Sequence, residues 1–379
     1  MTVTTRAPED SAPAAALYLA FDLGHSRWAL AFTTATHQPP RLRSIPARDV
    51  GRLWEEILAA RQRFGVPGAT SVVSCYEAGR DGFWLHRALT AQGITNVVVD
   101  AGSLEVARRA RRVKTDRVDV QQLLGRLVRW HQGEPRVWSV VRIPSVAAEA
   151  MRQGPRELLT TKRDRARVTN RIKGLLVGYG VTLAPWPTAE PDWTTLTQWD
   201  GTPLPAEVQG RLGREWAKGA LLTAQIQALA TAQRVAGRTA DTPAAAQVRR
   251  LVQVRGLGVT GAWLQVAEFF AWRQFRNRRE VAALAGLTPT PFASGATAHE
   301  QGISKTGNRY IRTLAIELAW GWLRYQPTSE LSLWYARRFG HGNSRLRRIG
   351  IVALARRLLI AVWRYLETDE LPAGAVLKA

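Results

Sequence analysis

From Leu17 onward, apolar runs and helical spacings follow one another in an order that few folds can accept. ALYLAFDLG is an apolar run closed by Asp22 and Gly24, RWALAFTT is a second, and a third short run covers Arg41–Ile45. Short polar turns separate them, so the three predict an antiparallel hairpin sheet. DVGRLWEEILAARQRF then has helical spacing, with Leu53, Trp54, Ile57, Leu58 and Phe64 available for one face. TSVVSCYE reads as a buried strand ending at Glu77, DGFWLHRALTAQG as a helix with a glycine stop, and ITNVVVDAG as a further strand. A helix through KTDRVDVQQLL closes the series.

Three strands, helix, strand, helix, strand, helix is the order of an RNase H-like domain, here over residues 17–140. In that fold the first strand is central and the fourth lies beside it, so Asp22 and Glu77 end neighbouring strands. Asp116 and Asp119 stand at i,i+3, which on a helix turns both carboxylates the same way. Four oxygen donors converging at one sheet edge suit a hard cation, Mg²⁺ or Mn²⁺. Immediately before them come Arg108, Arg109, Arg111, Arg112 and Lys114, a cationic patch suited to a phosphodiester. The plainer alternative for this stretch is a solvated helix with internal ion pairs. FDLGHSRWALAF also resembles the first phosphate loop of sugar kinases and actin-like ATPases. The second Asp-Gly loop and the adenosine motif of those proteins are not found.

Charge narrows the partner. Fifty-three Lys+Arg against 30 Asp+Glu give a net charge of +23, pointing to a polyanion: nucleic acid or an acidic membrane surface. A hydrophobic content of 46% is that of a globular chain. The single cysteine, Cys75, excludes a disulfide framework and any cysteine-based zinc site, and its apolar surroundings predict a buried core residue. No apolar run reaches transmembrane length. The first residues carry Glu9 and Asp10 where a signal peptide would be basic, so residues 1–16 are expected to be a loose tail and the protein cytoplasmic and nucleoid-associated.

After Pro144 the character changes. Residues 145–240 predict an antiparallel helical arm, a coiled coil, with Arg163, Arg165, Arg167, Arg171 and Lys173 crowding the polar side of its first helix. The connecting stretch, APWPTAEPDWTTLTQWDGTPLP, is irregular, and its Trp186, Trp193 and Trp199 suit either base stacking or packing at the arm's tip. Residues 245–379 predict a helical C-terminal domain. Within it, VQVRGLGVTGAWLQVAEF reads as a helix-hairpin-helix whose Gly256-Leu257-Gly258 turn offers backbone N–H groups to a phosphate. EVAALAGLTPTPFASGATAHEQGISKTGNRYIR places Ser294-Gly295 in a loop between two helices, with Lys305, Arg309 and Arg312 near. Ser294 is a candidate nucleophile on phosphorus. Ser304 competes for that role, or braces the following helix. The basic amphipathic helix near the end, NSRLRRIGIVALARRLLIAVWRYLE, predicts a packed element with a face toward nucleic acid.

FDLG, YEAGRDGFWLHRAL, KTDRVDVQQLL, RVTNRIKGLL, VRGLGVTGAWLQVAEF, GLTPTPFASG and GISKTGNRYIR together resemble the DEDD transposases of bacterial insertion sequences, bridge-RNA-guided serine recombinases. The similarity runs from about Leu17 to Arg338. Ala293 stands where relatives often carry a second serine, leaving Ser294 the only serine beside that glycine. The resemblance implies a RuvC-like domain carrying the metal on Asp22, Glu77, Asp116 and Asp119, and a C-terminal transposase domain carrying the serine. It also implies donor and target DNA and a structured noncoding guide RNA as partners, with the two halves of the site drawn from different protomers of a dimer within a tetramer. A RuvC-like structure-specific nuclease using water, or a catalytically idle RNA/DNA-binding protein, are the alternatives.

Overall fold

The computed structural model describes residues 16–104, 116–294 and 297–378 and divides the chain into two units, Met1–Ile143 and Pro144–Ala379. The tail, the Arg108–Lys114 basic cluster, Gly295 and the side chains of Asp116 and Ser294 lie outside the described residues.

In the first unit, β1 (Ala16–Leu23), β2 (Arg27–Thr33) and β3 (Arg41–Pro46) form the expected antiparallel meander. α1 (Val50–Phe64) follows, capped by Asp49, whose side chain accepts the Arg52 N–H, and ended by Gly65 at φ 63°. β4 (Ser71–Glu77), α2 (Trp84–Ala91), β5 (Thr95–Val99) and α3 (Asp116–His131) complete it. The strand order is β3-β2-β1-β4-β5, with β4 parallel to both β1 and β5. Alternate residues face opposite sides of the sheet. Leu17, Leu19, Phe21, Val72 and Tyr76 pack with α1 and α2, whereas Tyr18, Ala20, Val73 and Cys75 pack with Val120, Leu124 and Val128 of α3. Cys75 is buried as expected, and burial raises its thiol pKa.

One expectation for α1 fails: Leu58 is 61% exposed. Glu56 takes the inward position beside Leu53, Ile57 and Ala60 because Arg41, itself buried, meets its carboxylate at 2.5 Å. Periodicity alone ranks a leucine above a glutamate and misses a partner fifteen residues upstream.

The second unit opens with α4 (Val146–Met151) and α5 (Gln153–Val177), and α6 (Ala206–Thr239) returns against α5. Val168, Ile172 and Leu176 recur every fourth residue on one face of α5 and pack with Leu212, Leu204 and Trp193. At 34 residues α6 is about 50 Å long. The rest is α7 (Pro243–Gln253), α8 (Val259–Gln265) running on into a π-helical turn at Val266–Phe270, α9 (Arg278–Leu284), a hairpin of β6 (Pro289–Ser294) and β7 (Thr297–Ile303), then α10 (Arg309–Tyr325), α11 (Glu330–Phe339) and α12 (Ser344–Thr368). Its core gathers Val266, Phe269, Trp322, Leu354 and Leu358. Among the described residues no helix is long and apolar enough to cross a membrane.

Candidate functional site

Asp22 directly follows Phe21 and Glu77 directly follows Tyr76, and those two are register partners in the parallel pair β1/β4. Both acids therefore stand one residue beyond the same rung, at the C-terminal ends of neighbouring strands. Parity puts them on the side of Ala20 and Cys75, the side α3 covers. Asp22 is half-buried and Glu77 exposed.

The direction of α3 follows from its far end. His131, in its last turn, meets the Tyr18 hydroxyl near the start of β1 at 3.0 Å. Burial raises the Tyr18 pKa and lowers that of His131. α3 thus runs antiparallel to β1. From Tyr18 to Asp22 the strand advances about 13 Å, and from His131 back to Asp119 the helix covers about 18 Å. The first turn of α3, with Asp116 and half-buried Asp119, arrives at the sheet edge where Asp22 and Glu77 end. The described acids Asp22, Glu77 and Asp119 thus lie toward one end of the sheet. Among the described residues no three His, Cys, Asp or Glu side chains close into a metal-holding group.

In the second unit the sequence expectation is corrected at Ser294. It does not sit in a loop between two helices; it ends β6, with Thr297 as its register partner. Two glycine-bearing turns interlock beneath this hairpin. Ser304 N–H donates to Thr288 O at 2.9 Å, Lys305 N–H to Gly286 O at 3.2 Å, and Asn308 N–H to Leu284 O at 2.7 Å. A Cβ on Gly286 would lie 2.0 Å from Thr306 O, and one on Gly307 2.3 Å from Leu284 O, so both positions require the bare backbone. The GLTP and GISKTGN motifs are the two halves of this clasp. Ser304 Oγ accepts from Thr306 Oγ1 at 3.2 Å and helps brace the turn, while the cap of α10 is Asn308.

The candidate cations divide. Arg312 is committed to the clasp, donating through Nη1 to Ala285 O and Thr306 O. Arg309 lies over the Tyr310 ring. Lys305 is exposed, at φ 56°, a left-handed conformation costly for a side chain with a Cβ. On the arm, Arg171 bonds Glu215 through Nε and Nη2, Lys173 covers Trp186, and Arg167 pairs with Asp164 three residues earlier. Arg163 is exposed.

The Gly256-Leu257-Gly258 turn joins α7 to α8 as expected, but a strap from the chain end lies on it. Arg255 N–H donates to Val376 O, Lys378 N–H to Gln253 O, and Lys378 Nζ to Val252 O and Leu257 O. Leu257 N–H is turned onto Val254 O. The Leu257 amide of the turn and the flanking Arg255 amide are thereby engaged within the chain, which narrows what the turn offers to a phosphate.

Sequence reasoning missed a buried ionic knot at the clasp. Glu268, in the π-helical turn, is 0% exposed. Arg156, from the first turn of α5, grips its carboxylate through Nε and, at 2.9 Å, Nη2. Asn308 donates Nδ2 to it at 2.8 Å while its Oδ1 accepts the N–H groups of Tyr310 and Ile311. The Arg156 guanidinium also lies 4.9 Å from the Tyr310 ring centre, and its pKa is raised chiefly by the hydrogen bond to Glu268. The knot ties the base of the arm to the start of α10. A glutamate inside the apolar run WLQVAEFF was the available signal.

Residues 248–332, from α7 into α11 and including the whole clasp, match the profile described as the transposase IS116/IS110/IS902 family. A protein of Sinorhizobium fredii named "Putative transposase y4rJ" is 38% identical over 96% of this chain and 95% of its own length. "Probable family 20 transposase" of Pseudomonas aeruginosa is 28% identical over 60% of this chain and 67% of its own. The transposase for insertion sequence element IS1111A of Coxiella burnetii is 28% identical over 55% and 56%.

Proposed function

Since the chain belongs to the IS116/IS110/IS902 family of transposases, we propose that it cuts and rejoins DNA through a covalent serine–phosphate link, under the direction of a structured guide RNA. The observation that carries this reading is that Asp22 and Glu77 each stand one residue beyond the Phe21/Tyr76 rung, on the sheet face that α3 covers. The strand order and the crossover to a parallel β4 support an RNase H-like, RuvC-like reading of the first unit. The α5/α6 pair supports a coiled-coil arm in the second.

Asp22, Glu77, Asp116 and Asp119 would hold Mg²⁺ or Mn²⁺; carboxylate oxygens are the donors such cations prefer. When bound, the cation would supply charge stabilisation at the reacting phosphate. The remaining chemistry belongs to the chain. Ser294 Oγ forms a bond to phosphorus as the P–O3′ bond breaks; the electron pair stays on the 3′ oxygen, which takes up a proton in exchange for the one the serine loses. The 3′-hydroxyl of a second strand then reverses the step, so bond energy is conserved and no nucleotide cofactor is consumed. The hairpin that carries Ser294 springs from the interlocked clasp, and an in-line displacement depends on a positioned nucleophile. Exposed Arg163 and Lys305 suit backbone contacts to DNA or RNA. The composite site implies at least a dimer, with a tetramer where two duplexes are joined.

The test is to incubate the protein, its guide RNA, Mg²⁺ and target DNA, denature, and look for DNA attached to protein. Attachment abolished by Ser294→Ala supports the recombinase. Cleaved free ends that persist in that variant indicate a water-driven nuclease, and absence of cleavage in the wild type indicates a binding protein.

A further inference from the structure

The sheet edge at which Asp22 and Glu77 end carries a second feature, which the carboxylate chemistry does not use. β3 runs parallel to β1, since both are antiparallel to β2, so the loop after Pro46 leaves the sheet at the same edge as the loop after Glu77. Arg48 stands in the first loop, Arg80 and Asp81 in the second. One carboxylate joins them. Asp81 Oδ1 accepts from Arg48 Nη2 at 3.0 Å, and Oδ2 from Arg80 Nη2 at 3.5 Å. The Asp81 side chain is 5% exposed, those of Arg48 and Arg80 48% and 56%.

The loops that carry them are well anchored. Tyr76 packs on the α1 and α2 side of the sheet, opposite the acids, and its hydroxyl donates to Gly82 O at 3.1 Å. Phe83 and Trp84 join the same core, with Trp84 against Trp28 at 5.8 Å between ring centres. Ala47 N–H donates to Ser26 O at 2.9 Å, tying the β3–α1 loop to the β1–β2 turn. In the order β3-β2-β1-β4-β5, the Arg48–Asp81 contact therefore spans the end of β1, the strand that carries Asp22.

Ion pairing alone does not account for this arrangement. A half-exposed pair contributes little, yet Arg48 is held at φ 68°, a left-handed conformation unfavourable for a residue with a Cβ. Two guanidiniums also share one carboxylate, so the group keeps a net positive charge. Each has five N–H donors and gives one to Asp81. The rest suit an anion with several acceptor oxygens, for which a preset planar fork is the best match.

We propose that Arg48 and Arg80, set by Asp81, form a phosphate clamp for the DNA strand whose scissile link reaches the carboxylates, gripping a neighbouring phosphodiester on the α1/α2 side of the same edge. The inference rests on the reading of that edge as the place where DNA is cut. A row of acids repels a polyanion, and a fixed cationic pair beside it offsets that repulsion. The arginines hold the strand and take no part in bond making.

The test is fluorescence anisotropy of the full chain with a labelled single-stranded DNA of mixed sequence, and with RNA of the same sequence, over a range of salt and with a chelator present. Wild type is compared with Arg80→Gln, Arg48→Gln/Arg80→Gln and Asp81→Asn, and unchanged melting temperatures show that each folds. Arg80→Gln alters a side chain more than half exposed, so it tests the clamp even where Asp81→Asn unfolds. Each arginine removed should cut the log–log salt slope on DNA by about 0.7, which is about five-fold weaker binding at about 0.1 M salt. Asp81→Asn, which raises the positive charge of the group, should bind at least as tightly as wild type. Unchanged affinity in the double variant overturns the proposal, as does Asp81→Asn as weak as Arg80→Gln, the result of a merely structural ion pair. A loss on RNA with none on DNA also overturns it. No bond is broken in this assay, so its failure counts against the clamp alone, whereas failure to trap DNA on Ser294 counts against the serine reading alone.

Discussion

Replacing Arg156 by methionine should be among the most damaging single changes outside the reacting groups. Glu268 is fully buried and accepts three hydrogen bonds, two from the Arg156 guanidinium and one from Asn308 Nδ2. Methionine fills much of the arginine's volume but supplies no donor, so the carboxylate keeps a single neutral partner. Breaking a buried pair by removing one member costs about 3–5 kcal/mol. The Arg156 side chain is 32% exposed, so water can enter from its side, and the lower end, about 3 kcal/mol, applies. At a urea dependence of about 1–3 kcal/mol per molar, the midpoint for the second unit falls by roughly 1–3 M. Arg156→Met/Glu268→Leu removes both charges, and the pair-replacement rule predicts recovery of most of that loss. The assay is urea unfolding followed by circular dichroism on wild type, both single variants and the double. A loss below about 1 kcal/mol for Arg156→Met, or a double variant as weak as the single, would refute the claim that the guanidinium neutralises a charge the fold cannot otherwise hold.

Other outcomes follow from the same contacts. Gly286→Ala and Gly307→Ala, both at positive φ and both driven into carbonyl oxygens, should each lose about 1–3 kcal/mol from backbone strain alone and more from the clash, read as lowered melting temperature with loss of DNA cleavage. In the arm, Glu215 has its pKa lowered first by the hydrogen bond from Arg171. A depressed folded pKa means its stabilisation is present above the ordinary value of 4.5 and is lost as pH falls through the lowered one. Melting of wild type should therefore fall more steeply than that of Glu215→Gln as pH drops below 4.5. The logarithm of nucleic-acid affinity should fall linearly with log salt, and Arg163→Ala should make that slope shallower, as expected of a phosphate contact.

What could be read from the sequence was local. Period-two and period-3.6 patterns placed β1 to β5 and α1, and the position of Asp22 and Glu77 at the ends of neighbouring strands followed from strand order. What could not be read were partnerships between distant segments. Arg41 admits Glu56 to the core in place of Leu58, and Arg156 admits Glu268 to an apolar turn. The end of the chain straps a glycine turn that by itself looks open to phosphate. Ser294 reads as a loop residue in the sequence because its segment, TPTPFASGATA, is rich in proline, glycine and small residues. Its extended pairing depends on a clasp formed by residues before Pro289 and after Ile303.

The central claim is that the carboxylate edge of the first unit and Ser294 act on the same phosphodiester. The most direct measurement is mass spectrometry of peptides from protein trapped on target DNA, comparing wild type with Asp22→Asn and Ser294→Ala. The account predicts a nucleotide-modified Ser294 in wild type and none in either variant. Modification that persists in Asp22→Asn, or that lies on Ser304 instead, would contradict it.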